Sequence, residues 1–229
     1  MNIFSKLFIY SLVSTLFIAL LSSCSDESAT NKGSAGSSSM KLMDEVTSIT
    51  ELPSVLQESL SADEKADLLK KILPQSDSSL SPDEQFQKLR EDASAGDAEA
   101  QNGLGTLFYT GHAISRDASG KILDYDLESA AAWFYRAAEQ GHAAAQFNLG
   151  LMYAEGQGVP KDSAKAVELF TKAAEQGNVD AQNNLGVMYF IGEGVSRDVN
   201  KAKQWFEKAA AQGNEEAKGN LEALQNAGN

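Results

Sequence analysis

Residues 145–162 read AQFNLGLMYAEGQGVPKD, and 36 residues later residues 181–198 read AQNNLGVMYFIGEGVSRD. A chain that restates itself at a fixed period builds one supersecondary unit several times, which limits its fold more than any composition does. Taken from Gly141 to Gln176 and from Gly177 to Gln212, the two copies agree at 19 of 36 positions, far above chance. An earlier copy spans Gly96 to Gln140 and carries nine extra residues around Arg116–Asp126. That surplus falls in the connection between helices, where insertions cost least. A half copy, residues 213–229, closes the chain.

Each copy predicts two helices. Ala145, Leu149, Met152 and Tyr153 fall at i, i+4, i+7 and i+8, one apolar stripe, and Ala181, Leu185, Met188 and Tyr189 repeat it. In the second helices Ala166, Leu169, Phe170, Ala173 and Ala174 are matched by Ala202, Trp205, Phe206, Ala209 and Ala210. Small residues beside aromatics let helices approach and interdigitate. Gly150 and Gly186 each cost a helix about 1 kcal/mol relative to Ala, so their missing side chains are expected to admit a neighbour. The GEGV stretch, Gly192 to Val195, ends the first helix, Asp162 and Asp198 suit the second-helix N-caps, and Gly177 and Gly213 end the second helices. One such helix pair cannot bury its apolar face alone, whereas a stack can, so the expected fold is an all-α solenoid. Glu222 and Gln225 replace the glycine and the tyrosine in the half copy, the polar end that a finite stack requires.

Residues 41–95 also read as helical. Leu42, Val46 and Ile49 share a helix face. Ser61 with Glu64 forms a capping box ahead of Leu68, Leu69, Ile72 and Leu73, and Pro74 stops that helix. Ser81, Pro82 and Glu84 open the next one. The region is either an N-terminal cap on the repeats or a separate helical pair. Residues 25–40, SDESATNKGSAGSSSM, have no apolar pattern and read as a flexible linker.

The chain begins MNIFSKLFIYSLVSTLFIALLSSC. The apolar run from Leu7 to Leu21 rises about 22 Å as a helix, short of a roughly 30 Å hydrocarbon core, so a cleaved signal segment over residues 1–23 fits better than a membrane span. Leu21, Ser22, Ser23 and Cys24 resemble the lipobox of bacterial lipoproteins, and Cys24 is the sole cysteine. The resemblance implies that Cys24 becomes the first mature residue, carries acyl chains such as palmitate, and anchors the protein to a membrane. Ser25 is not the aspartate that often signals inner-membrane retention, which favours the periplasmic face of the outer membrane or the cell surface.

AQNNLGVMYFIGEGVSRDVNKAKQWFEKAAAQGN resembles a Sel-one-like repeat, a relative of the tetratricopeptide repeat, and the likeness covers residues 96–229. It implies a right-handed superhelix and a protein-binding scaffold, with the first helices lining the concave face. Mapped onto this chain, the face would present Asn102, Thr106, Tyr109, Asn148, Leu151, Asn184, Val187 and Phe190 to a protein or an extended peptide. Amides suit backbone recognition there, and apolar or aromatic groups suit side-chain pockets.

The net charge of −13 argues against nucleic acid, whose phosphates need clustered Lys and Arg. An acidic surface keeps a protein soluble, and its sharper use is to select a basic partner. His112 and His142 have no metal-ligand partners in the sequence, and His142 falls where later copies place Asn178 and Asn214 after glycine, which marks a turn residue. No nucleophile–base pair recurs at helical spacing, so neither catalysis nor a cofactor or metal is expected. The leading expectation is a lipid-anchored binding scaffold. A peptidoglycan-associated regulator of wall enzymes comes second, and a hydrolase third.

Overall fold

The structure is a computed structural model and describes residues 61–72, 79–112, 115–116, 122–123 and 126–227. The signal segment, Cys24, the linker, the face formed by Leu42, Val46 and Ile49, and the stop at Pro74 lie outside these residues. Among the described residues run nine helices: α1 (Ala62–Ile72), α2 (Pro82–Ala95), α3 (Ala98–Tyr109), α4 (Leu127–Glu139), α5 (Ala143–Glu155), α6 (Ser163–Glu175), α7 (Val179–Ile191), α8 (Val199–Ala211) and α9 (Glu215–Ala227). Each packs on the next, so α3–α4, α5–α6 and α7–α8 are the three complete copies and α9 is the half copy. Within the insert, strands β1 (Ser115–Arg116) and β2 (Ile122–Leu123) pair antiparallel, Ser115 opposite Leu123.

Helix starts follow from local chemistry. Ser81 and Glu84 form a full capping box at α2, and Ser61 and Glu64 do the same at α1. The carboxylates of Asp126, Asp162 and Asp198 accept from the N–H three residues on, at 2.9–3.0 Å, and open α4, α6 and α8. Asp162→Ala is expected to cost about 1 kcal/mol, read as a lower urea midpoint with an unchanged slope. A shift below about 0.3 kcal/mol would remove this cap from the account.

The apolar stripes meet as their spacing predicts. Ala145, Leu149, Met152 and Tyr153 are buried, as are Ala181, Leu185 and Met188, while Tyr189 is half-buried. The glycines in the first helices have one partner in every copy. A Cβ on Gly105, Gly150 or Gly186 would lie 2.6–2.7 Å from the ring of Phe134, Phe170 or Phe206. The aromatic ring of the second helix therefore fills the space a side chain would need, and the helix-propensity loss at glycine is offset by that burial.

A buried glutamine then ties three helices together at each copy. Gln146 Nε2 donates to the Ala138 carbonyl at the end of α4, and its Oε1 accepts from Gln176 Nε2 at the end of α6. Gln182 repeats this with Ala174 and Gln212. Gln101 does so with Ala93 and Gln140. Ala93 belongs to α2, so α2 stands where the second helix of a preceding copy would stand. Its Phe86, Leu89 and Ala93 are buried, and α1, whose Leu69 is also buried, packs on it. At the other end Glu222 and Gln225 are exposed, which leaves a polar end.

Candidate partner-binding face

The eight expected residues sit on α3, α5 and α7, and the structure separates them by depth. Asn102, Thr106, Tyr109, Asn148 and Phe190 are half-buried. Leu151, Asn184 and Val187 are buried, at 8%, 6% and 8% exposure. Val187 packs with Ala202, Phe206, Ala209 and Ala217, a cluster that joins α7 to α8 and α9. Leu151 and Val187 therefore serve packing first and offer a partner little surface. Phe190 rests partly on the same cluster, and the Arg197 guanidinium lies 5.6 Å from its ring centre while Arg197 Nε donates to the Phe190 carbonyl.

Residues from successive copies meet on this face. Asn148 Nδ2 donates to Asn102 Oδ1 at 3.2 Å, across 46 residues of sequence. Tyr109 Oη donates to Gln157 Oε1 at 2.6 Å, and burial raises the Tyr109 pKa, with the Glu155 carboxylate adding to the shift. Thr106 instead turns its hydroxyl back to the Asn102 carbonyl at 3.0 Å. The spacing argument missed Gln157. Its signal is a polar residue between the two loop glycines, and the next copy has Glu193 there, which accepts from Ser163 Oγ at 2.8 Å.

His142 is more than a turn residue. Its Nδ1 accepts from the Ala145 N–H at 3.2 Å, so it is the N-cap of α5, as Asn178 and Asn214 are of α7 and α9. A ring nitrogen that accepts leaves the proton on Nε2, which donates to Glu99 Oε2 at 2.9 Å. His112 Nδ1 lies 2.7 Å from Thr110 Oγ1, and burial lowers its pKa. Among the described residues no three His, Cys, Asp or Glu side chains gather as a metal site.

The Sel1 repeat family model matches residues 98–142, 143–178 and 179–214, three units in the frame of the three complete copies. A solved Sel1 repeat protein from Oxalobacter formigenes is 40% identical, with a TM-score of 0.52 over 60% of this chain and 97% of that one. A protective antigen of uropathogenic Escherichia coli strains, displaying an SLR fold, is 42% identical with a TM-score of 0.50. That match covers 58% of this chain and 26% of the antigen, so the chain spans about a quarter of that protein's length. No curated protein matches the chain in sequence.

Proposed function

The chain belongs to the Sel1 repeat family, and from that premise we propose that it is a lipid-anchored envelope scaffold that holds a protein or an extended peptide on its first-helix face. Sel1 repeat proteins are generally non-catalytic scaffolds that bind protein partners. The observation that carries the reading is the Asn148–Asn102 hydrogen bond, which makes one row of side chains from two copies. A continuous row suits an extended ligand, whose main chain repeats its donors and acceptors along its length. The anchor rests on the LSSC stretch ending at Cys24, and the outer-membrane or surface location rests on Ser25.

Photocross-linking in the native cell tests this. A probe at position 190 is expected to capture one discrete protein, and a probe at the exposed Glu207 on α8 to capture none. Equal capture from both positions, or none from 190 in folded protein, would overturn the face assignment. Phe190→Ala is expected to weaken the complex while the helical circular dichroism stays intact. Fractionation of the same cells tests the anchor, since Cys24→Ser should leave the membrane pellet. Sedimentation with purified peptidoglycan would move the assignment to wall association.

A further inference from the structure

The second and third copies each lay a loop on the copy before them. Gln157, between Gly156 and Gly158, accepts from the Tyr109 hydroxyl, and Gly158 seats against the Leu127 carbonyl at the start of α4. Glu193, between Gly192 and Gly194, accepts from Ser163 Oγ at 2.8 Å and pairs with Lys161 Nζ at 3.0 Å. Gly194 seats against the Ser163 carbonyl at the start of α6, where a Cβ would run into backbone. The third copy has the matching surface, but the described residues end with α9 at Ala227 and include no following loop.

The residues of that surface differ from those of the second copy in one direction. Phe190 stands for Ala154, Ile191 for Glu155 and Val199 for Ser163, so small or polar groups give way to larger apolar ones. The cation is kept, Arg197 for Lys161. These residues lie together. Arg197 Nε donates to the Phe190 carbonyl at 2.9 Å, its guanidinium lies 5.6 Å from the Phe190 ring centre, and Val199 is two residues further on, at the start of α8. Ala154 is 6% exposed, whereas Phe190 and Ile191 are half-buried and Val199, at 38%, is the one large exposed hydrophobic among the described residues. Lys161 has its carboxylate in Glu193, and Arg197 forms no ion pair among the described residues. An apolar surface with a cation at its edge and no carboxylate beside it is complementary to a segment that brings an acid and an apolar side chain together.

We propose that the end of the third copy receives a loop of a protein partner in which an acidic residue is followed by glycine and an apolar residue, the acid on Arg197 and the apolar side chain against Phe190 and Val199. This rests on the scaffold reading above, which places a partner at Phe190, and names the chemistry of that partner. The molecule uses the same mode one copy earlier, where Glu193, Gly194 and Val195 follow one another and Glu193 meets Lys161. Both loops of this kind in the chain are already seated on their own stack, so a second copy has none to offer and a different protein supplies it.

The test is a phage-displayed library of disulfide-closed random loops panned against the full chain in detergent. The selected pool is expected to be enriched in Glu-Gly and Asp-Gly pairs. Single selected loops should lose about tenfold in affinity on Arg197→Glu and on Val199→Asp, and stay within about twofold on Lys208→Glu, further along α8. Val199→Asp puts an acid in the first turn of a helix, which favours the helix, so a loss there is not a loss of fold. Arg197→Gln removes the charge alone and should weaken binding in the same direction. A pool without acidic residues, or affinity unchanged by Arg197→Gln and Val199→Asp, would overturn the proposal, and so would a library that yields no binder. A probe at position 199 that cross-links to the chain's own residues 228–229 or to a second copy would overturn it too. In each of these cases a discrete protein captured from position 190 would leave the scaffold reading standing.

Discussion

Phe170→Ala is expected to lower the free energy of unfolding by about 3–5 kcal/mol, the cost of truncating a fully buried aromatic. Phe170 is 0% exposed. Its ring lies against the backbone of α5, where a Cβ on Gly150 would be 2.7 Å from Cε1. Phe147, three residues before Gly150 on the same helix, stands 5.9 Å away between ring centres. A void left there has helix backbone for one wall, and backbone relaxes less than side chains do, which places the loss toward the upper part of the range. The residue sits in the central copy, and in a stack the copies contribute their own stability and that of their interfaces. Urea unfolding followed by far-ultraviolet circular dichroism checks it. A loss below about 1 kcal/mol would mean that the ring is not part of the core.

Gly158→Ala and Gly177→Ala should differ sharply, although both glycines have positive φ, +66° and +90°. A Cβ on Gly177 meets nothing within 4 Å. Alanine there costs only the left-handed conformation, about 1–2 kcal/mol. A Cβ on Gly158 would stand 2.2 Å from the Leu127 carbonyl oxygen and 2.9 Å from the Glu128 nitrogen, in the first turn of α4. Backbone cannot swing away as a side-chain tip can, so strain adds to conformation and the total reaches about 2–5 kcal/mol. The clash also falls between the first two copies, where Tyr109 meets Gln157. Equal losses at the two positions would show that the loop is free to move and that Gly158 makes no close approach.

The candidate face was legible as a face and not as a surface. Spacing from Leu149 and Leu185 identified residues that share a side of α5 and α7, because helical period alone decides that. It could not tell Asn148, half-buried, from Asn184, buried one copy later at the same position. Depth depends on what the preceding copy presents, here Asn102 in one case and Phe147 in the other. Val187 shows the same limit, since Ala217 of α9, in the half copy that follows, completes the cover that α8 begins.

What the sequence determined by itself are the features written within a single copy. The 36-residue period, the aspartate caps at Asp162 and Asp198, the glycine terminators and the insert's place between two helices all rest on interactions spanning a few residues, and each is where the spacing predicts. The tertiary structure decided what happens between copies. It placed α2 as a further second helix, through Gln101 on the Ala93 carbonyl. It set Gly158 against α4, gave His142 to Glu99, and left Asn184 without the acceptor that Asn148 and Asn220 have. A local signal is complete within one turn or one loop. Most contacts between copies exist only once stacking brings together residues far apart in the chain, 30 positions for Ser163 and Glu193 and 48 for Tyr109 and Gln157, and one substitution in the neighbouring copy changes the outcome.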